Sequence, residues 1–322
     1  MKINTKKMDV IWSYLGYALN LAINVILLPW ILQAVPRSEL GIWYTFASIS
    51  AIVNTVDFGF SPTIIRNLTY AWSGAKVLKT TGVQYIEKDS SPNYELFNKV
   101  LIACKYLYLG ISIFALFILL TIIMKTVDVK PVGPNQSKIG LASINQFLFN
   151  HLGANSIWYN ITNLLGVIAI FFAFGFAISG LCQFIKGKSI SKVDFHLLLL
   201  GALYILVISF YIFFEFVIIN YRPVLIDSEL EASYPSSHTM ITICIMASSM
   251  LQFHQLLHNS RKRLLIALDV FSVLIIAVTI IGRLLSGVHW FTDIAAAILL
   301  SAALVMLYYS VVKWVEYIHN PE

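Results

Sequence analysis

Charge is scarce in this chain. Only 12% of its 322 residues are Asp, Glu, Lys or Arg, while 58% are hydrophobic. A soluble domain carries roughly 25% charged residues, so that class is excluded. Cysteine is scarcer still. Cys104, Cys182 and Cys244 stand far apart in or beside separate apolar runs, which excludes metal-ligating spacing and leaves small buried core residues. A cleavable leader is also missing from the expected features: Lys2, Lys6 and Lys7 precede an apolar run that is too long and lacks a small-residue cleavage site. The net charge of +6 comes from basic residues placed between apolar runs. That is the pattern of topology signals, so no nucleic-acid partner is expected.

What the chain has in abundance is apolar sequence, with a mean hydropathy of +0.79. Runs of about 20 residues recur near 10–34, 40–70, 100–124, 164–185, 196–219, 239–257, 264–285 and 294–315. At 1.5 Å per residue each is long enough to cross a hydrocarbon core of about 30 Å. The expected fold is all-α: a polytopic membrane helical bundle of eight transmembrane helices lying in the bilayer. Pro29 falls inside the first run, where it can kink a membrane helix. Asp57 and Arg66 in the second would each cost about 2.5–3.5 kcal/mol at the bilayer centre. A helix broken at Gly59 and Pro62, lining a polar cavity, would lower that cost.

Between the runs, 71–98 reads as a polar loop. Residues 127–163 read as a Pro/Gly turn at 131–135, then a short interfacial helix presenting Ile144, Phe147, Leu148, His151 and Leu152. Trp158 and Tyr159 follow as an aromatic anchor.

Lys and Arg orient the bundle. Segments on the N-terminal side hold 14 of them: Lys2, Lys6, Lys7, Lys76, Lys79, Lys88, Lys99, Lys186, Lys188, Lys192, Arg261, Lys262, Arg263 and Lys313. The other side holds 6: Arg37, Lys125, Lys130, Lys138, Arg222 and Arg283. The positive-inside rule therefore predicts both termini in the cytoplasm.

Three polar clusters lie on the predicted outer side, each at the end of an apolar run. They are Asn220-Tyr221-Arg222-Pro223, then Tyr234-Pro235-Ser236-Ser237-His238, then Arg283 with His289 and Asp293. His289 and Asp293 are four apart, so on a helix they share a face, and a carboxylate there can orient one imidazole nitrogen. Ser236, Ser237 and His238 immediately precede a membrane helix, whose free N–H groups attract anions. Arg222 and Arg283 can fork onto phosphate oxygens. Together these parts predict a phosphate cradle with a nucleophile and an acid.

The clusters resemble the three-part signature of the type 2 phosphatidic acid phosphatase superfamily, the membrane lipid phosphatases. Arg222-Pro223, Pro235-Ser236-Ser237-His238 and Arg283-x5-His289-x3-Asp293 carry the likeness, which extends over about 120–316. The resemblance implies that His289 becomes phosphorylated, Asp293 orients it and His238 protonates the leaving group. It implies that Arg222, Arg283, Ser236 and Ser237 hold the phosphoryl oxygens, with no metal and no cofactor. The implied substrate is a lipid phosphate or lipid pyrophosphate, and the implied location a bacterial cytoplasmic membrane with the site facing outward. Two positions depart from the signature. Glu215 stands where the family has Lys, and Gly282 where it has Ser. Losing one positive donor would cost about 10²–10³ in rate if nothing replaced it. Pairing of Glu215 with Arg222, and charge from Lys130 or Lys138, are the expected compensations.

Residues 8–110 resemble the opening helices of polysaccharide (O-antigen type) flippases, on Leu40-Gly41-Ile42-Trp43-Tyr44, Asp57-Phe58-Gly59-Phe60-Ser61-Pro62-Thr63 and Arg66-Asn67. That divides the chain into a truncated flippase-like segment, 1–110, and a six-helix phosphatase-like domain, 111–322. It also implies contact with cell-envelope polysaccharide machinery. A non-catalytic lipid-phosphate-binding or transporter-derived subunit is the competing reading.

Overall fold

Long apolar helices closed by side-chain caps dominate the chain. In its computed structural model, residues 60–78, 90–225, 229–257 and 261–319 are described, with isolated positions between 11 and 48. Two compact units result, Met1–Phe58 and Gly59–Glu322. Most of the first expected span and of the second up to residue 59 lies outside the described residues, as do five of the flippase-like motif residues, Ile42, Trp43, Asp57, Phe58 and Gly59.

In the second unit the α-helices are α1 (Phe60–Trp72), α2 (Tyr94–Thr126), α3 (Ala142–Leu152), α4 (Ser156–Gly187), α5 (Phe195–Phe216), α6 (Ser237–Leu257), α7 (Lys262–Leu285) and α8 (Phe291–His319). Six of them, α2 and α4 to α8, are long and apolar enough to cross a membrane. The protein is an all-α polytopic membrane protein. The helices extend beyond their hydropathic windows because polar residues cap them. Asn93, Asn155 and Asp194 each accept a backbone N–H in the first turn of α2, α4 and α5. The polar loop expected over 71–98 therefore ends at Asn93, and Trp158 and Tyr159 belong to the first turn of α4. Helix α1 runs unbroken past Pro62, where the sequence suggests a break.

Burial separates centre from rim. Half of the apolar window in α6 and in α8 is buried, against 17% in α4 and 22% in α2 and α7. A helix apolar all round but buried on one side turns its other side to lipid. Small residues make the centre possible: Ala296, Ala297, Ser301 and Ala303 of α8 are fully buried, letting neighbours approach closely. Helix α2 packs along α8, where Ser310 donates to the Ala103 carbonyl. The boundary expected near 110 thus falls inside one continuous helix that is built into the bundle. Helix α1 joins α2 through Ile64, Ala71, Leu96, Val100 and Cys104.

The ends of α2, α5 and α7 and the starts of α4, α6 and α8 are tied together at one end of the bundle. Tyr234, just before α6, stacks on Phe117 and bonds through its hydroxyl to Thr121 of α2 at 2.7 Å. Lys125 at the end of α2 donates to the Ile218 carbonyl beyond α5. The short helix α3 forms as expected. It buries Ala142 and Asn145 while Ile144 and Phe147 stay exposed.

Candidate active site

The site is built from the loops at that end. Residues 220–222 and 231–233 pair as a short antiparallel ladder, with Arg222 N–H donating to the Glu231 carbonyl and Ser233 N–H to the Asn220 carbonyl. Between α7 and α8 the chain turns at Gly287, whose φ of +67° favours glycine. An added Cβ there would meet Ala154 and the Gly153 carbonyl at 2.7 Å. The turn therefore packs directly on the loop between α3 and α4, and His289 follows two residues later.

His289 is 3% exposed. Its Nδ1 lies 3.0 Å from the Ser233 carbonyl oxygen. A carbonyl only accepts, so Nδ1 carries the hydrogen and Nε2 of the neutral ring keeps its lone pair. Nε2 is buried and has no hydrogen-bond partner. Burial lowers the His289 pKa, and the positive charges of Arg222 and Arg283 lower it further, while Asp293 opposes both. Burial and the two arginines thus favour the neutral ring.

The spacing predicts a shared helical face, but His289 lies in the loop two residues before α8 while Asp293 sits in its first turn. The Asp293 Oδ2 nevertheless stands 3.9 Å from Nδ1. That is an electrostatic approach, not a hydrogen bond. The directed bonds of the carboxylate go elsewhere: Oδ2 accepts from Trp290 N–H at 2.9 Å and Oδ1 from Asn220 Nδ2 at 3.3 Å. Asp293 thereby caps α8 and ties it to the first cluster. Asn220 in turn accepts from Gly140 N–H. Asn145 completes the frame, donating to the Gly140 carbonyl and to Thr292 Oγ1, both at 2.9 Å.

Ser236 and Ser237, neighbours in sequence, differ in role. Ser236 is fully buried, its N–H donates to the Asp293 carbonyl and its hydroxyl bonds to Thr239. Ser237 opens α6 and lines a narrow cleft together with His289. The first N–H groups of an α-helix have no partner inside it, so the start of α6 presents free donors here.

Arg283 is fully buried in the last turn of α7. One of its nitrogens donates to Asn163 of α4, and its guanidinium carbon lies 5.4 Å from the Tyr159 ring centre. Nε and the other terminal nitrogen have no partner among the described residues, so strong donors stand buried and unpaired here. Gly282 explains this placement. A Cβ there would stand 2.5 Å from Thr162 Cγ2 and 3.0 Å from a Trp158 ring carbon. The departure from serine is thus what lets α7 meet α4 and bring Asn163 to Arg283.

Arg222 does not pair with Glu215. Its Nε is 2.9 Å from Glu231 Oε2, an ion pair without hydrogen-bond alignment. The reason is local: the ladder sets Glu231 directly across from Arg222. Lys130 is likewise committed, to Asp128 at 2.8 Å and to Ser143. Its bond, with that of Ser143 N–H, holds the Asp128 carboxyl down at about 2. Lys138 is exposed and has no partner among the described residues.

His238 packs against Gly166 of α4 and lies within electrostatic range of Arg283, His289 and Arg222. The three clusters therefore converge. The cleft is narrow, with room for about one water molecule, and is walled by Tyr211, Phe214 and Glu215 of α5, by Ser233 to Pro235, by Ser237 and Met240 of α6, and by His289. Asn145, Asn163 and Thr292 were not singled out by sequence reasoning. They are neutral residues without motif spacing, and they matter through contacts made across the fold.

Fold and site together define a class: a helical membrane protein with a buried histidine and a buried arginine, each with unpartnered nitrogens, at one end of its bundle. Residues 213–317 match the family model described as the PAP2 superfamily. That stretch begins in the last turn of α5 and contains every residue of the three clusters. One solved structure is similar, the crystal structure of the first transmembrane PAP2 type phosphatidylglycerolphosphate phosphatase from Bacillus subtilis. It is 18% identical, with a TM-score of 0.42, and the match covers 62% of this chain and 93% of that one. Among curated proteins none matches.

Proposed function

We propose that the protein is an integral-membrane lipid phosphatase that hydrolyses a lipid phosphate or lipid pyrophosphate through a phosphohistidine intermediate, without a metal. One observation carries the reading. His289 has its Nδ1 hydrogen directed at a carbonyl and its Nε2 lone pair unpartnered, within electrostatic range of an arginine with two unpartnered nitrogens. The PAP2 match over the same residues supports it.

In the first step Nε2 of His289 attacks phosphorus, a P–N bond forms and the P–O bond to the leaving group breaks. His238 gives its proton to the departing oxygen. Arg283, Arg222 and the donors at the start of α6, with Ser237, carry the charge on the phosphoryl oxygens. The Asp293 carboxylate stabilises the positive charge on the substituted imidazole. Water then attacks the phosphohistidine, His238 takes its proton, and inorganic phosphate and free His289 are released. The Lys and Arg distribution supports a site on the outer face, with both termini in the cytoplasm. The flippase-like segment supports a place beside envelope polysaccharide synthesis.

The test is phosphate release from a panel of lipid phosphates by purified protein. His289→Ala is expected to abolish release and the acid-labile phosphoryl label on the protein, whereas EDTA leaves the wild type active. Full activity in the variant, or loss with EDTA, would sink the mechanism.

A further inference from the structure

The cleft at His289 has an acidic wall. Glu215 stands in the last turn of α5 with its side chain exposed and lines the same narrow space as Ser237 and His289. Its carboxylate lies within electrostatic range of Tyr211, one turn earlier. Among the described residues no cation pairs with it. Arg222 is taken by Glu231, Lys130 by Asp128, and Lys125 by the Ile218 carbonyl.

The cleft is therefore polarised. Ser237 at the start of α6 lines the cleft beside His289, and Arg283 lies within electrostatic range of His289. A phosphate there meets positive potential, while α5 contributes the Glu215 carboxylate to the same cleft. A head group that is anionic throughout meets repulsion from that wall. One with a cation next to the phosphate finds both signs matched, and such complementarity acts chiefly on specificity. We propose that Glu215 selects lipid phosphomonoesters bearing a protonated amine on a carbon close to the phosphate, over lipids whose head groups are entirely anionic. This rests on the phosphatase reading of the same site.

Two probes isolate the effect: sphinganine 1-phosphate and its N-acetyl derivative. They share chain and phosphate and differ in the amine charge. Phosphate release by the full-length protein in mixed micelles is expected to favour the free amine in kcat/KM by about tenfold. Glu215→Gln, nearly the same shape, should bring the two substrates together. Glu215→Asp should retain the preference, and Glu215→Lys should invert it. Equal kcat/KM for the two lipids in the wild type, or an undiminished preference in Glu215→Gln, overturns the selectivity and leaves the phosphatase reading standing. Release from neither lipid, nor from any other lipid phosphate, overturns both.

Discussion

Gly282→Ser would restore the residue of the signature, and it should harm this protein. The Cβ of a serine would stand 2.5 Å from Thr162 Cγ2 and 3.0 Å from the Trp158 ring. Carbon atoms pack at about 3.5–4.0 Å, so α7 must withdraw from α4 by about 1 Å or the two side chains must leave their rotamers. Overpacking of this kind costs about 1–3 kcal/mol. The damage to function should exceed the damage to stability. Asn163, next to Thr162, is the residue that bonds Arg283, and a misplacement of about 1 Å can cost 10²-fold in rate. Phosphate release and thermal unfolding in detergent, measured side by side, read the two effects. Thr162→Ser removes the clashing methyl and keeps the hydroxyl that bonds to the Trp158 and Tyr159 carbonyls. The double variant should recover part of the lost stability and rate, as expected for residues in contact. The reasoning is refuted if Gly282→Ser matches the wild type in both measurements, or if the two substitutions combine additively.

The lowered pKa of His289 has a defined sign. The folded protein releases this proton more readily than the unfolded chain, so its contribution to stability is complete above the ordinary value of 6.5 and is lost as pH falls from there toward the folded pKa. The acid limb of the kcat/KM profile should accordingly lie below pH 6.5, and an acid limb at or above 6.5 refutes the assignment. Asp293→Ala removes the acceptor of Trp290 N–H and of buried Asn220. Loss of the cap at about 1 kcal/mol and an unpaired buried donor at about 1–3 kcal/mol predict a stability loss of about 2–4 kcal/mol. An unchanged denaturation midpoint would show that the carboxylate does not hold the loop frame.

The six spans described here begin and end within about eight residues of their hydropathic limits, because a membrane helix is announced by composition along a continuous run. The short helix at 142–152 was readable for a similar reason, as its apolar positions recur at helical spacing. The three clusters were readable too, since phosphate chemistry restricts the residue types that can serve it. Partnership was not readable. Arg222 meets Glu231 rather than Glu215 because a ladder of a few residues sets them opposite each other. The pairing Lys130–Asp128 follows from a turn, and the division of labour between Ser236 and Ser237 from one residue of helical rotation.

By itself, then, the sequence determined that the protein is helical and membrane-embedded, and which residues form the three clusters. Both follow from local quantities, hydropathy over a run and chemistry within a motif. Only the tertiary structure decided that Nδ1 of His289 gives its hydrogen to Ser233, and that Asn163, Asn145 and Asn220 hold the frame. It alone also showed that a glycine at 282 brings an arginine to its acceptor. Those contacts join residues 56 to 147 positions apart. Their distances and angles depend on how several helices pack at once, which no single stretch of chain encodes.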